Sequence, residues 1–324
     1  MIEPIISVVL AVYNGGAFLK QSVDSVLQQD FAAFELLVLD DCSTDGSYEW
    51  LQRLEDNRIK LFRNETNSGL FYNLNFLIKQ SNSPLIKLWS QDDIMYPFCL
   101  SAFVNFHQQH PLIGFSYSGR DIIDEHGNIQ HNETIDHTPA IISTVLHARI
   151  AYFTGSIAGN IANVCICKIA LAHVGPFKEQ MKISADFDMW VRLAEKHETG
   201  FIYERLIKLR NHKGQLSQNK QFYINHVVED LEVYRYLDSY VNPELRREGR
   251  LIMREKKLPF YYTLMVKAFL KAEFSSALAY YKLLAGYTDF FKLSVHILSS
   301  KLLNRKAPLH FLNEPIVNEK ASSS

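Results

Sequence analysis

Ile5–Val12 is a β-branched apolar run that stops abruptly at Tyr13-Asn14-Gly15-Gly16. Phe34–Leu39 repeats the pattern and is closed by Asp40-Asp41-Cys42-Ser43-Thr44-Asp45-Gly46-Ser47; Ile59–Phe62 supplies a third run, and the run through Leu85, Ile86, Leu88 and Trp89 ends at Asp92-Asp93. Runs this short and this apolar read as buried strands. Between them, Phe18, Leu19, Val23, Val26 and Leu27 recur at helical spacing. Helical patterns also cover Tyr48–Leu54, behind a Ser/Thr/Asp cluster suited to capping, and about Tyr72–Gln80. Strand and helix alternating through short connections predict a parallel sheet covered on both faces.

The polar clusters therefore fall together. Tyr13-Asn14, Asp40-Asp41 and Asp92-Asp93 each lie just past the C-terminal end of a strand, the edge where open α/β sheets bind ligands. Two adjacent carboxylates suit a hard divalent cation and sugar hydroxyls, although an Asp-Asp pair before Pro97 is also ordinary turn composition. Gly15-Gly16 lacks both the Walker spacing with its lysine and the full GxGxxG, which argues against kinase, NTPase and dinucleotide-binding readings.

Composition narrows the choice further. The 324 residues are 47% hydrophobic and 21% charged with a formal net charge of -1, an ordinary globular balance without the basic excess of a general nucleic-acid binder. Cys42, Cys99, Cys165 and Cys167 follow no disulfide or CxxC spacing, so reduced thiols are expected. Met1-Ile2-Glu3-Pro4 begins no secretory signal, and no stretch approaches the roughly 18 to 20 apolar residues of a membrane span. A cytoplasmic location is expected.

The second half is less regular. Ser101–His110 reads as a helix, Phe115–Ser118 as a half-exposed strand, and Glu125-His126-Gly127-Asn128 as a hairpin turn, whereas 131–152 shows no clear pattern. Gly175-Pro176-Phe177 breaks the chain before a helix over Ile183–Leu193, with Asp186 in its first turn and Met189, Trp190 and Leu193 on its buried face. From about His226 the pattern is helical: one helix through Val227 to Leu237, one begun by Pro243, one by Pro259, and one ending near Gly286. The last stretch, Phe290–Lys306, sets Lys292, Lys301, Arg305 and Lys306 around an apolar face, which fits either a membrane interface or packing on the rest of the chain or a second subunit. Ala321–Ser324 should fray.

Several segments together resemble the inverting glycosyltransferases of family 2. They are Ser7–Asn14, Glu35–Ser47, Asn67-Ser68-Gly69 with Asn75, Gln91-Asp92-Asp93-Ile94 with Pro97, Gly175-Pro176-Phe177, Asp186–Leu193 and Arg210-Asn211-His212. The resemblance implies an α/β, GT-A-type (Rossmann-like), mostly parallel sheet flanked by helices over residues 1–220, followed by a helical C-terminal extension over 221–324. It implies that Ala11, Tyr13, Asp41, Asn67, Asn75 and Asp92 bind the nucleotide, Asp92 through the ribose and Asp41 through a uracil or thymine base. It makes Asp93 and His212 the ligands of a divalent cation, manganese or magnesium, and Asp186 the catalytic base.

The partners so implied are a nucleotide-sugar donor and a glycan or lipid-linked acceptor in surface polysaccharide synthesis. Peripheral membrane contact or a homodimer would run through the C-terminal helices. Two residues depart from the pattern: Ser90 replaces the usual acidic residue two positions before Asp92, and Ala185 replaces the usual Glu before the base. Two other readings compete. A sugar-phosphate nucleotidyltransferase would need a Gly-rich N-terminal loop with a catalytic Arg or Lys, which Tyr13–Gly16 does not provide. An inactive binding scaffold would have no reason to keep Asp92, Asp93 and Asp186 together.

Overall fold

A computed structural model describes residues 3–132, 138–212, 214 and 223–302. The expected fraying of Ala321–Ser324 and the basic residues Arg305 and Lys306 lie outside them, as does the side chain of Lys301. The chain divides into two compact units, Met1–His147 with Ser156–Gln218, and Ala148–Gly155 with Asn219–Ser324.

In the first unit the order is β1 (Ile6–Val12), α1 (Gly16–Leu27), β2 (Phe34–Asp40), α2 (Ser47–Leu51), β3 (Ile59–Arg63), α3 (Leu70–Gln80), β4 (Leu85–Trp89), β5 (Ile94–Met95), α4 (Cys99–Gln109), β6 (Ile113–Ile123), β7 (Ile129–Asn132) and β8 (Ile141–Ile142). After α5 (Thr144–Thr154), whose last turns belong to the second unit, come β9 (Val164–Cys167), α6 (Lys168–Val174), α7 (Ala185–Lys196) and β10 (Glu198–Arg210). The sheet runs β3-β2-β1-β4-β9-β6-β10-β5. β3, β2, β1 and β4 are mutually parallel, as the alternation predicts. Beyond β4 the pattern changes, because β9 is antiparallel to both β4 and β6. β1 and β2 carry buried residues on both faces, since helices cover each side.

One expectation is corrected. β6 is buried rather than half-exposed: the Phe115 ring stacks on Trp190 of α7 at 5.2 Å, and β9 and β10 flank the strand. The run into Asp92 is a buried strand as expected, and Lys87 within it is completely buried. Its ammonium donates to the carbonyls of Ala162 and Leu88 and lies 5.0 Å from the centre of the Phe103 ring. Burial holds its pKa below the ordinary lysine value.

The second unit is helical: α8 (Tyr223–Tyr240), α9 (Pro243–Ile252), a π-helical turn Met253–Lys257, α10 (Leu258–Leu270), α11 (Phe274–Tyr287) and α12 (Phe290–Leu302). Asn242 caps α9 by accepting from the Leu245 N–H, with Pro243 at the first helical position. The unreadable segment before Gly155 finds its explanation in this unit. Tyr152 is fully buried, its hydroxyl donates to Asp238 at 2.6 Å, and its ring lies where a Cβ on Gly249 would come within 2.5 Å. Among the described residues no helix is long and apolar enough to cross a membrane.

Candidate active site

The strand order places a crevice at the C-terminal ends of β1 and β4, where connections depart to opposite sides of the sheet. Gln91 spans it. Its side-chain oxygen accepts from the Tyr13 N–H at 2.9 Å and its amide donates to the Tyr13 carbonyl at 3.1 Å. Tyr13 keeps its ring exposed on the rim, while Ala11 is half-buried on the same strand end.

The loops after β1 and β2 interlock. Asn14, at φ 48°, donates its N–H to Ser43 and accepts the Thr44 N–H on its side chain; Gly15 and Gly16 donate to Ser47 and Asp45. A Cβ at Gly15 would stand 2.9 Å from that of Leu19, so α1 can begin this close to the turn only from glycine. The Gly-Gly pair is turn chemistry, as the sequence indicates.

Asp41 is buried and committed to the protein. One oxygen accepts from the Asn64 amide at 2.7 Å and the Ser68 N–H at 2.8 Å, the other from the Gly69 N–H at 3.0 Å. It thereby fixes the 64–69 loop, on which Asn67 is exposed. Asn75 is likewise engaged: its amide exchanges hydrogen bonds with the backbone N–H and carbonyl of Phe177 and donates to Glu179. It seats the loop that follows Gly175-Pro176.

The paired aspartates diverge. Asp92 is 18% exposed at its side chain; one oxygen accepts from the Ser90 hydroxyl and the other lies 2.9 Å from Nε2 of His212, itself 17% exposed. Asp93 points inward, only 2% exposed, and accepts the Arg210 backbone N–H at 2.8 Å. Burial pushes its carboxyl up to about 8; the Asp92 charge adds to this, and the Arg210 N–H opposes it. His212, expected to share a divalent cation with Asp93, stands within hydrogen-bond distance of Asp92 instead. Ser90, where an acidic residue was expected, supports Asp92 by hydrogen bonding.

Arg210 builds this corner. Its guanidinium donates to the Asp92, Asp124 and Glu125 carbonyls and to Gln21, and lies 4.5 Å from the Phe18 ring centre. Phe18 also packs on His212 at 5.0 Å. The end of β10 is therefore held against the end of β4, and His212 arrives beside Asp92. In the sequence Arg210 stands out only as part of Arg210-Asn211-His212, because no local signal marks its partners.

Helix α7 separates its two aspartates. Asp186, half-buried in the first turn, accepts the Phe187 N–H at 2.7 Å. Asp188 is buried and held by Lys178 at 2.8 Å and Arg192 at 2.7 Å. Arg192 also donates to the carbonyls of Val174, Gly175 and Pro176, tying the helix to the preceding break. Asp188 is thereby a structural carboxylate, which leaves Asp186 as the base candidate. Spacing of i,i+4 was the available signal for the Asp188–Arg192 pair.

No cluster of three or more His, Cys, Asp or Glu side chains stands in metal-holding arrangement among the described residues. Asp92 and His212 nevertheless fit a divalent cation as two of its ligands. They offer a carboxylate oxygen and an imidazole nitrogen, adjacent and partly open, a donor set that suits manganese with the remaining positions left to a bound diphosphate.

Comparison with known proteins agrees with this architecture. The model of the family Glycosyl transferase family 2 matches residues 7–178, just over half of the chain. An uncharacterized glycosyltransferase of Rickettsia typhi is 24% identical over 300 residues, covering 89% of each chain. Among solved structures, S. aureus TarS 1-349 in complex with UDP-GlcNAc superposes with a TM-score of 0.61 at 19% identity, over 77% of this chain and 70% of TarS. The mannosyltransferase PcManGT of Pyrobaculum calidifontis, in complex with GDP-Man and Mn2+, gives 0.56 at 13% identity, over 94% and 88%. These likenesses extend to the GT-A fold.

Proposed function

The chain belongs to glycosyltransferase family 2, and from that membership we propose that it moves a sugar from a nucleoside diphosphate donor to an acceptor hydroxyl with inversion at the anomeric carbon. The observation that carries the reading is the Asp92–His212 pair, presented at the crevice between β1 and β4, with Asp186 in the first turn of α7. The nucleotide lies over the Tyr13 rim and the loop that Asp41 and Asn67 contribute. Asn75 acts behind that surface by seating Phe177. UDP- and dTDP-sugars are the first donors to test on the family resemblance, and GDP-sugars belong beside them, since two structural neighbours are in complex with UDP-GlcNAc and GDP-Man.

In this reading Asp186 accepts the proton of the acceptor hydroxyl as its oxygen attacks the anomeric carbon and the bond from that carbon to the diphosphate breaks. Asp186 sits in the first turn of α7, where the positive end of the helix dipole favours a carboxylate. Asp92 and His212 would hold a divalent cation, manganese or magnesium, which when bound neutralises charge developing on the leaving diphosphate. Asp93 serves from beneath by fixing the Arg210 backbone. The acceptor is assigned to the glycan or lipid-linked class, and the pathway to surface polysaccharide synthesis, on kinship alone.

The deciding experiment titrates UDP-, GDP- and dTDP-sugars with and without manganese, following thermal stability and release of the nucleoside diphosphate. Stabilisation by one donor and release in the presence of acceptor are expected. If no nucleotide sugar binds, the assignment is lost.

A further inference from the structure

The second unit turns apolar side chains outward where its helices reverse. Between α10 and α11, Phe269, Leu270 and Phe274 are 61, 78 and 62% exposed, and the two phenyl rings pack edge to face at 5.7 Å. An exposed cluster of this kind marks an interaction surface rather than ordinary surface scatter. The turn that presents it is closed on itself. Lys271 N–H donates to the Lys267 carbonyl at 3.1 Å, Ala272 N–H to Phe269 at 3.0 Å and Glu273 N–H to Ala268 at 3.0 Å, with Ala272 at φ 60°. The N–H groups of Lys271, Ala272 and Glu273 are thus satisfied internally, so this part of the turn can leave water without orphaning them.

The charges around the tip point to its occupant. Lys267 and Lys271 are exposed beside the apolar cluster, with Glu273 as the neighbouring carboxylate. From Leu258 to Leu302 the chain has five lysines and no arginine, against Glu273 and Asp289 alone. Asp289 is itself paired with Lys292 at 3.5 Å. A two-fold interface with a second copy sets one patch against its own image, which brings these lysines together around a dehydrating centre. An anionic lipid surface has the opposite effect: the phenyl and leucyl groups enter the acyl boundary while the lysine stems reach the headgroup phosphates.

We propose that the α10–α11 turn is a docking tip for the surface of an anionic phospholipid bilayer, with Phe269, Leu270 and Phe274 inserting and Lys267 and Lys271 meeting the headgroups. This inference stands apart from the reaction assigned to the first unit, since it rests on the second unit alone.

Flotation of the full chain with vesicles tests it. One set contains phosphatidylcholine only and the other roughly a third phosphatidylglycerol, each at low salt and at about 0.5 M salt. The protein should float with the anionic vesicles at low salt and fall away in the other conditions. At about fivefold in partition for each lysine near an anionic surface, Lys267→Gln with Lys271→Gln should weaken flotation about thirtyfold. The triple variant Phe269→Ser, Leu270→Ser, Phe274→Ser should abolish it while melting at the wild-type temperature, because these side chains are already in water. Two outcomes overturn the proposal: vesicles that never float the wild-type chain, or a triple variant that floats as well as wild type. If the wild type instead forms a dimer by light scattering that the triple variant dissolves, and no vesicle binds, the face belongs between copies.

Discussion

Nε2 of His212 lies 2.9 Å from Oδ2 of Asp92, across 120 residues of sequence. The pair exists because Arg210 pins the end of β10 to the Asp92 carbonyl and to the inward carboxylate of Asp93. A late segment thereby completes a site begun at the end of β4.

His212→Ala should retain the fold and raise the manganese concentration needed for half-maximal transfer. The shift should be at least the roughly 10- to 100-fold that loss of a supporting partner costs a metal site. Asp92→Asn should do the same. A metal titration of nucleoside diphosphate release reads both, and an unchanged curve for each would remove the pair from the metal site. Chelation by EDTA should stop turnover and manganese restore it.

Asp186→Asn should lower kcat about 10²- to 10⁴-fold, the usual contribution of a general base, and leave donor binding intact. Asp188→Asn should behave differently. Leaving Lys178 and Arg192 without their buried partner should cost about 3 kcal/mol of stability, measured by urea unfolding. Wild-type turnover in the first variant would place the base elsewhere.

Asp41→Ala leaves the donors of Asn64, Ser68 and Gly69 without their acceptor. Stability should drop by roughly 1.5–3 kcal/mol, as for hydrogen bonds to a charged group. Protease nicking at 64–69 should rise. A variant that melts as wild type and loses only nucleotide affinity would show that Asp41 serves the ligand and not the loop.

His107 is buried with Nε2 on the Ser116 hydroxyl at 2.9 Å, and burial pulls its pKa from 6.5 down to about 4. Its folded value lies below the unfolded one, so the unfolded chain binds the extra proton. The stability it permits is complete above about pH 6.5 and declines as pH falls towards 4. Between about pH 7.5 and about pH 5 the loss should be on the order of 2 kcal/mol. His107→Asn should flatten that part of the urea-unfolding profile, and an identical slope would assign the acid sensitivity to other groups.

Much of the first unit was legible because burial is written locally. Runs such as Ile6–Val12 and Phe34–Asp40 carry their apolar content in consecutive residues, and Gly127 and Asp124 announce the β6–β7 turn on their own. The burial of Lys87 and the segment around Tyr152 were not legible, for the opposite reason. Lys87 is buried where the carbonyls of residues 162 and 88 converge on it, and Tyr152 packs with α8 and α9, the first of which begins some seventy residues later.

The sequence by itself determined the alternation of strands and helices, the common edge on which Tyr13, Asp41 and Asp92 gather, and the family resemblance those residues carry. Tertiary structure decided which of two adjacent aspartates is buried and which stays partly exposed. Both lie in the turn after β4, where Asp93 points inward and Asp92 stays partly exposed. What filled each side arrived from β10: the Arg210 backbone buried Asp93, and His212 met Asp92 in the open.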